Sequence, residues 1–216
     1  RPELETYGVS QIHSPNINRL AAEGVQFNRA FCNIPVCGAS RASLLTGTRP
    51  TWERYTTYYT RVDVENPDDP TLPDYFRNNG YYSISNGKIF HHSGDGSGSW
   101  DEEWHPESNN KSWRDYYLPE NKALERAPDT RGWPYERADV PDSAYKDGKI
   151  AQKAVEDLKR LKDKEQPFFL ACGFLKPHLP FNAPSKYWDM YDPDAIPQAE
   201  YTEKPENAPD QAMHHS

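Results

Sequence analysis

The sequence is poor in the side chains that build most protein cores. Leucine, isoleucine, valine and phenylalanine account for 34 of its 216 residues, and the formal net charge is −8. A share under about 20% combined with net charge is typical of disordered chains. The sequence nevertheless contains 14 tyrosines and 6 tryptophans, which is too many for a solvated tail. The composition therefore predicts a folded chain with a small aliphatic core.

Three further shortages exclude whole classes of protein. The sequence has no uninterrupted run of 18 apolar residues, which excludes a transmembrane helix. Acidic residues outnumber basic ones by 33 to 25, which argues against nucleic acid as a general partner. There are three cysteines, Cys32, Cys37 and Cys172. This number excludes a disulfide-dense scaffold, and the spacing does not match a zinc site.

The two ends of the sequence lack the features of a complete domain. It opens at Arg1-Pro2 without an initiating methionine or a signal peptide. It ends in a polar stretch from Pro205 to Ser216. We expect the sequence to be part of a longer protein whose first strand and C-terminal half lie outside it.

The first third of the sequence alternates between helical and strand patterns. Ser14, followed by a proline, predicts the start of a short helix that ends at Gly24. Residues 25–31 alternate apolar and polar side chains, as a strand with one buried face does. After a loop, a second helix is predicted from about Ser40, its capping residue, to Gly47.

Later segments continue the same alternation. A helix is predicted over Thr71–Asn79 and a strand over Tyr81–Ser85. The longest predicted helix, Ser143–Lys162, carries an apolar stripe, and a buried strand follows over Phe168–Gly173. This order predicts an α/β fold with a mostly parallel sheet flanked by helices. Ligands bind such sheets where the carboxyl ends of the strands meet the loops, so those loops are the expected site.

Two stretches do not fit this pattern. Residues 93–141 contain three aliphatic side chains but four tryptophans, and residues 182–216 contain one aliphatic side chain. A long irregular stretch is usually functional or disordered, and tryptophans at this density favour order. We expect residues 93–141 to be an ordered Trp-rich insertion and its acidic run, residues 101–103, to be a solvated loop.

One motif carries the clearest chemical signal. Cys37-Gly38-Ala39-Ser40-Arg41 stands between a predicted strand and a predicted helix, where the helix N-terminus and the arginine both favour an anion. Together with Leu44-Leu45-Thr46-Gly47, it resembles the signature of the type I, formylglycine-dependent sulfatases of the alkaline-phosphatase-like superfamily. Gly87-Lys88-Ile89-Phe90-His91 and Lys176-Pro177-His178-Leu179-Pro180-Phe181 resemble the iduronate 2-sulfatase branch of that family.

The resemblance implies a fold and a role for each of five residues. Residues 1–216 would form part of the N-terminal catalytic domain, in a partial alkaline-phosphatase-like fold. A maturase would convert Cys37 to formylglycine, whose hydrate would be both the nucleophile and a metal ligand. Arg41 would pair with the formylglycine oxygen, because a fixed cation suits that position. Lys88 would contact the sulfate, and His91 would hydrogen-bond the formylglycine. His178 would act as the general acid near the bridging ester oxygen.

Two features depart from the pattern of the family. Its metal is usually calcium, which needs about six oxygen ligands. The family holds it with aspartates on the first strand and with further ligands in the second half of the domain, so Cys37 would be the only ligand in this sequence. Ala39 stands where proline is commoner in the family. Radical-type bacterial maturases accept alanine there, which favours a bacterial source.

The resemblance therefore predicts a sulfuric ester hydrolase acting on a sulfated carbohydrate, although this segment alone is expected to be inactive. Residues 93–141 and the aromatic segment Trp52–Arg61 would then be candidate walls of the sugar site. One alternative is a phosphate or phosphonate ester hydrolase of the same superfamily. A second is a non-catalytic fragment or subunit that needs a partner chain. The family also implies an exported protein, located in the periplasm or outside the cell, or in the lysosome of an animal.

Overall fold

A computed structural model describes residues 3–107, 112–128 and 130–212. None of the helices in these ranges is both long and apolar enough to cross a membrane. The helices are α1 (Pro15–Glu23), α2 (Cys37–Thr46), α3 (Val62–Glu65), α4 (Leu72–Asn78), α5 (Pro119–Arg126), α6 (Lys146–Leu161) and α7 (Ser185–Trp188). The strands are β1 (Tyr82–Gly87), β2 (Glu102–Trp104), β3 (Tyr135–Ala138), β4 (Phe168–Gly173) and β5 (Phe181–Pro184).

The chain divides into two units. The smaller one comprises residues 1–26 and 189–216, and it contains α1. This helix has the predicted bounds, with Ser14 at the N-cap position, a proline at the first turn and Gly24 after the last. The hydroxyl of Ser14 donates to Oδ1 of Asn18 and accepts from the N–H of Glu5, and it caps no backbone N–H of α1. The larger unit, residues 27–188, contains both sheets.

A three-stranded parallel sheet forms the centre of the larger unit. Its strand order is β2-β1-β4, and β1 pairs with β4 over its whole length, from Tyr82 opposite Phe168 to Gly87 opposite Gly173. The predictions of β1, of β4 and of parallel pairing are thus confirmed. Because the strands run parallel, the segments that follow Gly87 and Gly173 leave the sheet at the same edge.

Helix α2 contributes small side chains to the hydrophobic core. Ala39, Ala42 and Leu45 are buried on its inner face, and Gly47 ends the helix with a φ of 69°, in the left-handed region that favours glycine. The other fully buried members of this core are mainly aromatic, as the composition predicts. The core residues outside α2 are Tyr55, Val62, Phe90 and Trp100.

Aromatic stacking connects the sheet to the helix that precedes it. The ring of Phe169 in β4 lies parallel to that of Phe76 in α4, with centroids 4.4 Å apart. The Phe169 ring is also nearly parallel to that of Trp100, with centroids 6.0 Å apart and an interplanar angle of 6°. Helix α4 begins with a capping box, in which Thr71 accepts from the N–H of Asp74 and the Asp74 carboxylate accepts from the N–H of Thr71. The helix predicted over residues 71–79 is confirmed.

Helix α6 covers one face of the sheet. Its predicted apolar stripe is buried at Ile150, Ala154 and Leu161, but Leu158 is 47% exposed. Asp157 of the same helix is buried, and its Oδ2 accepts a hydrogen bond from Nδ2 of Asn86 in β1 at 2.8 Å. The hydrogen bond between Asn86 and Asp157 therefore connects β1 to α6 next to the apolar stripe.

A buried glutamate organises much of the stretch from residue 112 to residue 145. Both carboxylate oxygens of Glu136 in β3 accept hydrogen bonds. A buried carboxylate needs such partners because its desolvation is costly. Strand β3 pairs in parallel with β5 in a separate two-stranded sheet. The donors to Glu136 are the N–H groups of Tyr117 and Leu118, the amide of Asn121 and the hydroxyl of Tyr145.

Three local predictions are wrong. Residues 25–31 form no strand, and Val25, Phe27 and Phe31 are 72–88% exposed. Alternating side chains indicate a strand only where a neighbouring strand supplies backbone partners. Residues 101–103 are not a solvated loop, because Glu102 and Glu103 lie in β2, which pairs with β1. Helix α2 begins at Cys37, and the N–H of Ser40 donates to the carbonyl of Val36 within it, so Ser40 is not its capping residue.

Candidate active site

The first residue of α2 is Cys37. Val36 before it has extended φ and ψ angles, and the Cys37 thiol is exposed at the start of the helix. Gly38 lies directly against the backbone of Tyr58, since a Cβ on Gly38 would lie 2.4 Å from the Tyr58 carbonyl oxygen. The glycine of the motif therefore lets the segment around Tyr58 pack against the turn that presents Cys37.

Arg41 lies one turn along α2 and binds the segment that follows β1. Its Nη1 donates to the carbonyl oxygen of Lys88 at 2.8 Å and to that of Ile89 at 2.7 Å. Burial lowers the pKa of the Arg41 guanidinium from its ordinary value, but an arginine keeps its charge at neutral pH. The family resemblance predicts that Arg41 pairs with the formylglycine oxygen at residue 37. The hydrogen bonds of Arg41 in the structure hold the backbone carbonyl groups of Lys88 and Ile89.

Lys88 follows β1 directly and is half-buried. Its N–H donates to the carbonyl of Gly173 at 2.8 Å, so it extends the ladder between β1 and β4 by one bond. Burial lowers the pKa of the Lys88 ammonium, and the positive charge of Arg41 lowers it further. Two cationic side chains therefore lie close together near Cys37.

His91 faces Cys37, and His92 does not. Nε2 of His91 lies 4.0 Å from Sγ of Cys37. Nε2 of His92 lies 2.8 Å from the carbonyl oxygen of Tyr58, to which it donates. Burial lowers the pKa of His91 to about 4, with a further contribution from the positive charge of Lys88. His91 is therefore neutral at physiological pH.

His178 lies in the loop that follows β4. Its Nδ1 is 2.7 Å from the carbonyl oxygen of Leu179, so the neutral ring carries its hydrogen on Nδ1. The edge of the ring faces Trp113, with centroids 5.1 Å apart. His178 is near enough to His91 to contribute to its lowered pKa. The structure thus brings His178 to the same edge of the sheet, with its contacts to Leu179 and Trp113.

Two charged side chains hold the loop that carries His178. Oδ1 and Oδ2 of Asp147, in the first turn of α6, accept from the N–H groups of Leu175 and Lys176 at 2.8 and 2.9 Å. Nζ of Lys176 donates to the carbonyl oxygens of His178 and Pro180 at 3.2 and 2.6 Å. Asp147 and Lys176 therefore position the loop.

Lys88 and His91 also line a cavity of about 340 Å³, which we call the basic cavity. It lies among the segments that follow β1, β2 and β4 and the first turn of α6. Five of the described residues that line it are basic, and none is an aspartate or a glutamate. The basic residues are Lys88, His91, His92, His105 and Lys146, and the apolar wall is formed by Phe90, Pro106, Trp113 and Leu175.

The sequence did not single out several residues around this site. Asp147 and Lys146 begin α6, where an acidic or basic residue is ordinary on a surface helix, so no local signal marked them. His105 lies in the stretch predicted to be an insertion. Tyr58 lies in the aromatic segment predicted to be a sugar wall, but its backbone contact with Gly38 had no sequence signal. Each of these relationships is between residues far apart in sequence.

The described residues do not form a calcium site. Within residues 3–107, 112–128 and 130–212, no group of three or more His, Cys, Asp or Glu side chains could hold a metal ion. The side chains shown to interact with Cys37 are His91, Arg41 and Lys88, which are basic, whereas calcium requires about six oxygen ligands.

The fold and the site together define an α/β protein with a cysteine at a helix start and basic side chains around it. Solved structures with this fold include a phosphonate monoester hydrolase of Agrobacterium radiobacter (TM-score 0.63, 22% identity, covering 92% of this chain and 43% of that one). Another is BT4656 in complex with its substrate D-glucosamine-2-N,6-O-disulfate (TM-score 0.57, 23% identity, 82% and 32%). The fold is thus alkaline-phosphatase-like, as predicted.

The chain belongs to the Sulfatase family, whose model matches residues 1–211. It is 34% identical to the iduronate 2-sulfatase of Homo sapiens over 221 residues, which cover 97% of this chain and 39% of the human protein. It is 30% identical to a sulfatase of Formosa agariphila, over 89% of this chain and 39% of that protein. The chain therefore spans about two fifths of the length of these relatives, and the predicted family is confirmed.

Proposed function

We propose that the protein hydrolyses sulfate esters of a sulfated carbohydrate and that its nucleophile derives from Cys37. The observation that carries this proposal is the position of Cys37 at the first residue of α2, with Nε2 of His91 at 4.0 Å. Arg41 and Lys88 supply positive charge beside it. A helix N-terminus and fixed cations stabilise the anion that forms during sulfate transfer.

The proposed nucleophile is the hydrate of formylglycine at position 37. One hydroxyl of this gem-diol attacks the sulfur, the bond between sulfur and the bridging oxygen breaks, and the alcohol leaves after gaining a proton. The remaining hydroxyl then loses its proton and re-forms the aldehyde as the bond between carbon and the sulfate oxygen breaks. Sulfate leaves, and water regenerates the hydrate. The net reaction consumes one water per ester.

Neighbouring side chains have complementary roles in this proposal. Lys88 contacts the sulfate as a point charge, and Arg41 fixes the backbone of Lys88 while adding its own charge. His91 is neutral, because its pKa is about 4, so it can hydrogen-bond a formylglycine hydroxyl. His178 supplies the proton to the leaving alcohol from its imidazolium form, in which Nε2 carries a hydrogen while Nδ1 donates to the Leu179 carbonyl oxygen.

No step of this reaction is assigned to calcium, because the described side chains around Cys37 do not form a calcium site. The ion implied by the family resemblance would take one ligand from this chain, an oxygen of formylglycine 37.

We also propose that residues 1–216 are part of a sulfatase catalytic domain and that residues 93–141 are an insertion within it. A maturase would act on Cys37, and an exported location follows from the family.

Exposed aromatic rings beside Cys37 support the carbohydrate part of the proposal. Tyr58 and Tyr59 are 48% and 67% exposed, with ring centroids 3.9 Å apart. The Tyr58 ring meets His91 edge-on at 6.4 Å. Aromatic faces stack on the apolar faces of sugar rings. In this proposal, the two rings hold a saccharide whose ester reaches Cys37.

Mass spectrometry tests the proposed modification. Trypsin releases a peptide from residue 30 to Arg41 that contains both Cys32 and Cys37, so Cys32 is an internal control. In protein from its native host, we expect loss of sulfur and an aldehyde reactive towards hydrazine at residue 37 and an intact thiol at residue 32. An unmodified Cys37 would remove the formylglycine mechanism.

Kinetics test the reaction itself. The full-length protein should favour sulfate over phosphate and phosphonate monoesters of the same alcohol in kcat/KM. Cys37→Ala should abolish turnover, and the matched variant Cys32→Ala, which also removes an exposed thiol, should retain it. A preference for phosphate or phosphonate would support the ester hydrolase alternative. Inactivity towards all three esters, in protein carrying the aldehyde, would support a non-catalytic role.

A further inference from the structure

The carbonyl group of Tyr58 contacts two elements of the site at once. Its oxygen accepts a hydrogen bond from Nε2 of His92 at 2.8 Å. The same group lies against Gly38, since a Cβ on Gly38 would lie 2.4 Å from the carbonyl oxygen of Tyr58 and 2.9 Å from its Cα. Gly38 directly follows Cys37 in the first turn of α2. One peptide group therefore connects His92 to the turn that presents Cys37.

The side chains on either side of this peptide group do little to hold it. Residues 56–59 are all exposed, and they lie between the buried residues Tyr55 and Thr60. Apart from the bond to His92, the hydrogen bonds that the structure describes for residues 56–59 stay within residues 57–60. A segment with few buried contacts opens easily. The position of the Tyr58 carbonyl therefore depends on the bond from His92.

A second attachment holds the chain just after the aromatic segment. Asp95 is 2% exposed, and its Oδ1 accepts from the N–H groups of Val62 and Asp63 at 2.9 and 3.3 Å. These two N–H groups lie at the start of α3, which begins at Val62. The N–H of Asp95 donates to the carbonyl oxygen of His92 at 3.3 Å, so both residues belong to one tight turn. This turn therefore holds the neighbouring chain at two points.

The segment after β1 is attached to α2 at two places. At one place, Nη1 of Arg41 donates to the carbonyl oxygens of residues 88 and 89. At the other, His92 donates to the carbonyl group that lies against the first turn of α2. His91 stands between these attachments in sequence, and its ring centroid is 4.6 Å from that of His92. The two attachments therefore control the distance between His91 and Cys37, which is 4.0 Å from Nε2 to Sγ.

We propose that His92 is a positioning residue: its hydrogen bond holds the Tyr58 carbonyl group against Gly38 and so fixes the turn that presents Cys37. His92 does not touch the reacting atoms in this proposal. The inference rests on the proposed function only where it concerns catalysis. The arrangement of the turn is a property of the folded chain whether or not a sulfate ester reacts.

Two substitutions separate the hydrogen bond from the ring and its charge. His92→Gln keeps a donor, because the amide nitrogen of glutamine is separated from Cα by as many bonds as Nε2 of histidine. His92→Phe keeps an aromatic ring and removes the donor. Both variants lack the ionisable group, so a difference between them reports the hydrogen bond. His13→Phe is the matched control, because the His13 ring contacts Tyr191 within the smaller unit.

Hydrogen exchange of the full-length protein, followed by mass spectrometry, tests the geometry without any turnover. In His92→Phe, the amides of residues 56–61 and of the first turn of α2 should exchange about tenfold faster, the effect of losing one hydrogen bond. Peptides from β4 should exchange as in the wild type. Both His92→Gln and His13→Phe should retain the wild-type exchange at residues 56–61 and at α2.

Three results of this measurement would overturn the inference. The first is unchanged exchange at residues 56–61 or at α2 in His92→Phe. The second is an equal increase in His92→Phe and His92→Gln, because the donor would then be irrelevant. The third is an equal increase in β4, because the substitution would then act through a general loss of stability.

A double-mutant cycle tests whether His92 acts through Gly38. Gly38→Ala places a Cβ against the Tyr58 carbonyl group and should itself displace the turn. In the otherwise unchanged enzyme, His92→Phe should reduce kcat/KM about 10–100-fold, because the nucleophile is misplaced. In the Gly38→Ala background, the same substitution should cost no more than about twofold. Losses that multiply would show that the two residues act independently and would overturn the inference.

The two measurements keep this inference separate from the proposed function. If no sulfate ester is hydrolysed, but His92→Phe accelerates exchange at residues 56–61 and at α2 and His92→Gln does not, the proposed function fails and the positioning role stands. If sulfate esters are hydrolysed and His92→Phe leaves both exchange and kcat/KM unchanged, the proposed function stands and the inference fails.

Discussion

Gly87 and Gly173 lie opposite each other at the last paired position of β1 and β4. Gly87 has a φ of 82°, in the left-handed region, and a Cβ on it would lie 2.4 Å from the carbonyl oxygen of Gly173. A Cβ on Gly173 would lie 2.0 Å from the carbonyl oxygen of Lys88. The two glycines therefore allow the segments after the strands to leave the sheet in contact, which brings Lys88 towards Cys37.

Gly173→Ala should destabilise the protein and displace Lys88. The added methyl group meets backbone atoms that cannot move away without breaking the bond from the Lys88 N–H to residue 173. Overpacking of this kind costs about 1–3 kcal/mol. Urea denaturation should show this loss in the free energy of unfolding, and kcat should fall with it. Gly98→Ala is the matched control, because a Cβ there meets nothing within 4 Å, and a comparable loss in that variant would contradict the explanation.

Arg41→Lys should not preserve the site although it preserves the charge. The guanidinium of Arg41 bonds two carbonyl oxygens at once, and a lysine ammonium does not reproduce that geometry. The loss of hydrogen bonds from a charged donor predicts a decrease of about 1–3 kcal/mol in the free energy of unfolding, and activity should also fall. Chemical denaturation measures the change in the free energy of unfolding, and steady-state kinetics measure the change in activity.

The control for this variant is Arg61→Lys. Arg61 forms an ion pair with Asp63 at 2.9 Å, and both side chains are more than 30% exposed. Exposed pairs contribute about 0–1 kcal/mol, so this change should be small. If the two variants lose the same stability, the contacts between Arg41 and the backbone of residues 88 and 89 are not what supports the site.

The free energy of unfolding should decrease as the pH is lowered through the titration range of His91. Its pKa is about 4 in the folded chain and about 6.5 as the ordinary value, so the unfolded chain binds a proton in this interval and the folded chain does not. Acidification from pH 6.5 to pH 4 therefore favours unfolding, and above pH 6.5 the contribution is constant. The dependence of the free energy of unfolding on pH should be less steep in His91→Gln.

NMR provides a direct measurement of the same property. The ring resonances of His91, assigned by their loss in His91→Gln, should titrate with a midpoint near 4. A midpoint at or above 6 would contradict a half-buried ring among positive charges. It would also remove the neutral hydrogen-bonding role proposed for His91.

The sequence predicted those elements whose signals are local. Helix α4 has a capping box, α6 has a 16-residue amphipathic pattern, and β4 is an uninterrupted apolar run. The convergence of Cys37, Lys88 and His91 followed from the family motifs. The rule that parallel strands end at the same edge applies to Lys88 and His178, which follow β1 and β4. These predictions did not require knowledge of which residues far apart in sequence are in contact.

The wrong or missed predictions concern features that depend on contacts between residues far apart in sequence. Residues 25–31 have the alternation of a strand, but none of them lies in a strand of the structure. Strand β2 is three residues long and acidic, and its pairing with β1 stabilises it. The basic cavity depends on bringing Lys146, 58 residues after Lys88 in sequence, to the same place. Tertiary contacts decide each case, and a single sequence shows none of them.

His178→Ala should affect substrates according to their leaving groups. The bond from Nδ1 to the carbonyl of Leu179 leaves Nε2 as the nitrogen that can serve the leaving oxygen. A sugar alkoxide needs a proton to leave, whereas an activated aryl oxide does not. General acid catalysis contributes about 10²–10⁴ in rate, so kcat/KM should fall at least a hundredfold on a sugar sulfate and only slightly on an activated aryl sulfate.

A loop variant separates this proton transfer from simple displacement of the loop. Lys176→Met removes the bonds from Nζ to the carbonyl oxygens of His178 and Pro180 without changing the His178 ring. It keeps the ring that donates the proton, so kcat/KM on the sugar sulfate should fall less than in His178→Ala, and any loss that comes from displaced binding contacts should appear on both substrates. If His178→Ala also reduces both substrates equally, its effect is that of a displaced loop, and His178 is not the general acid.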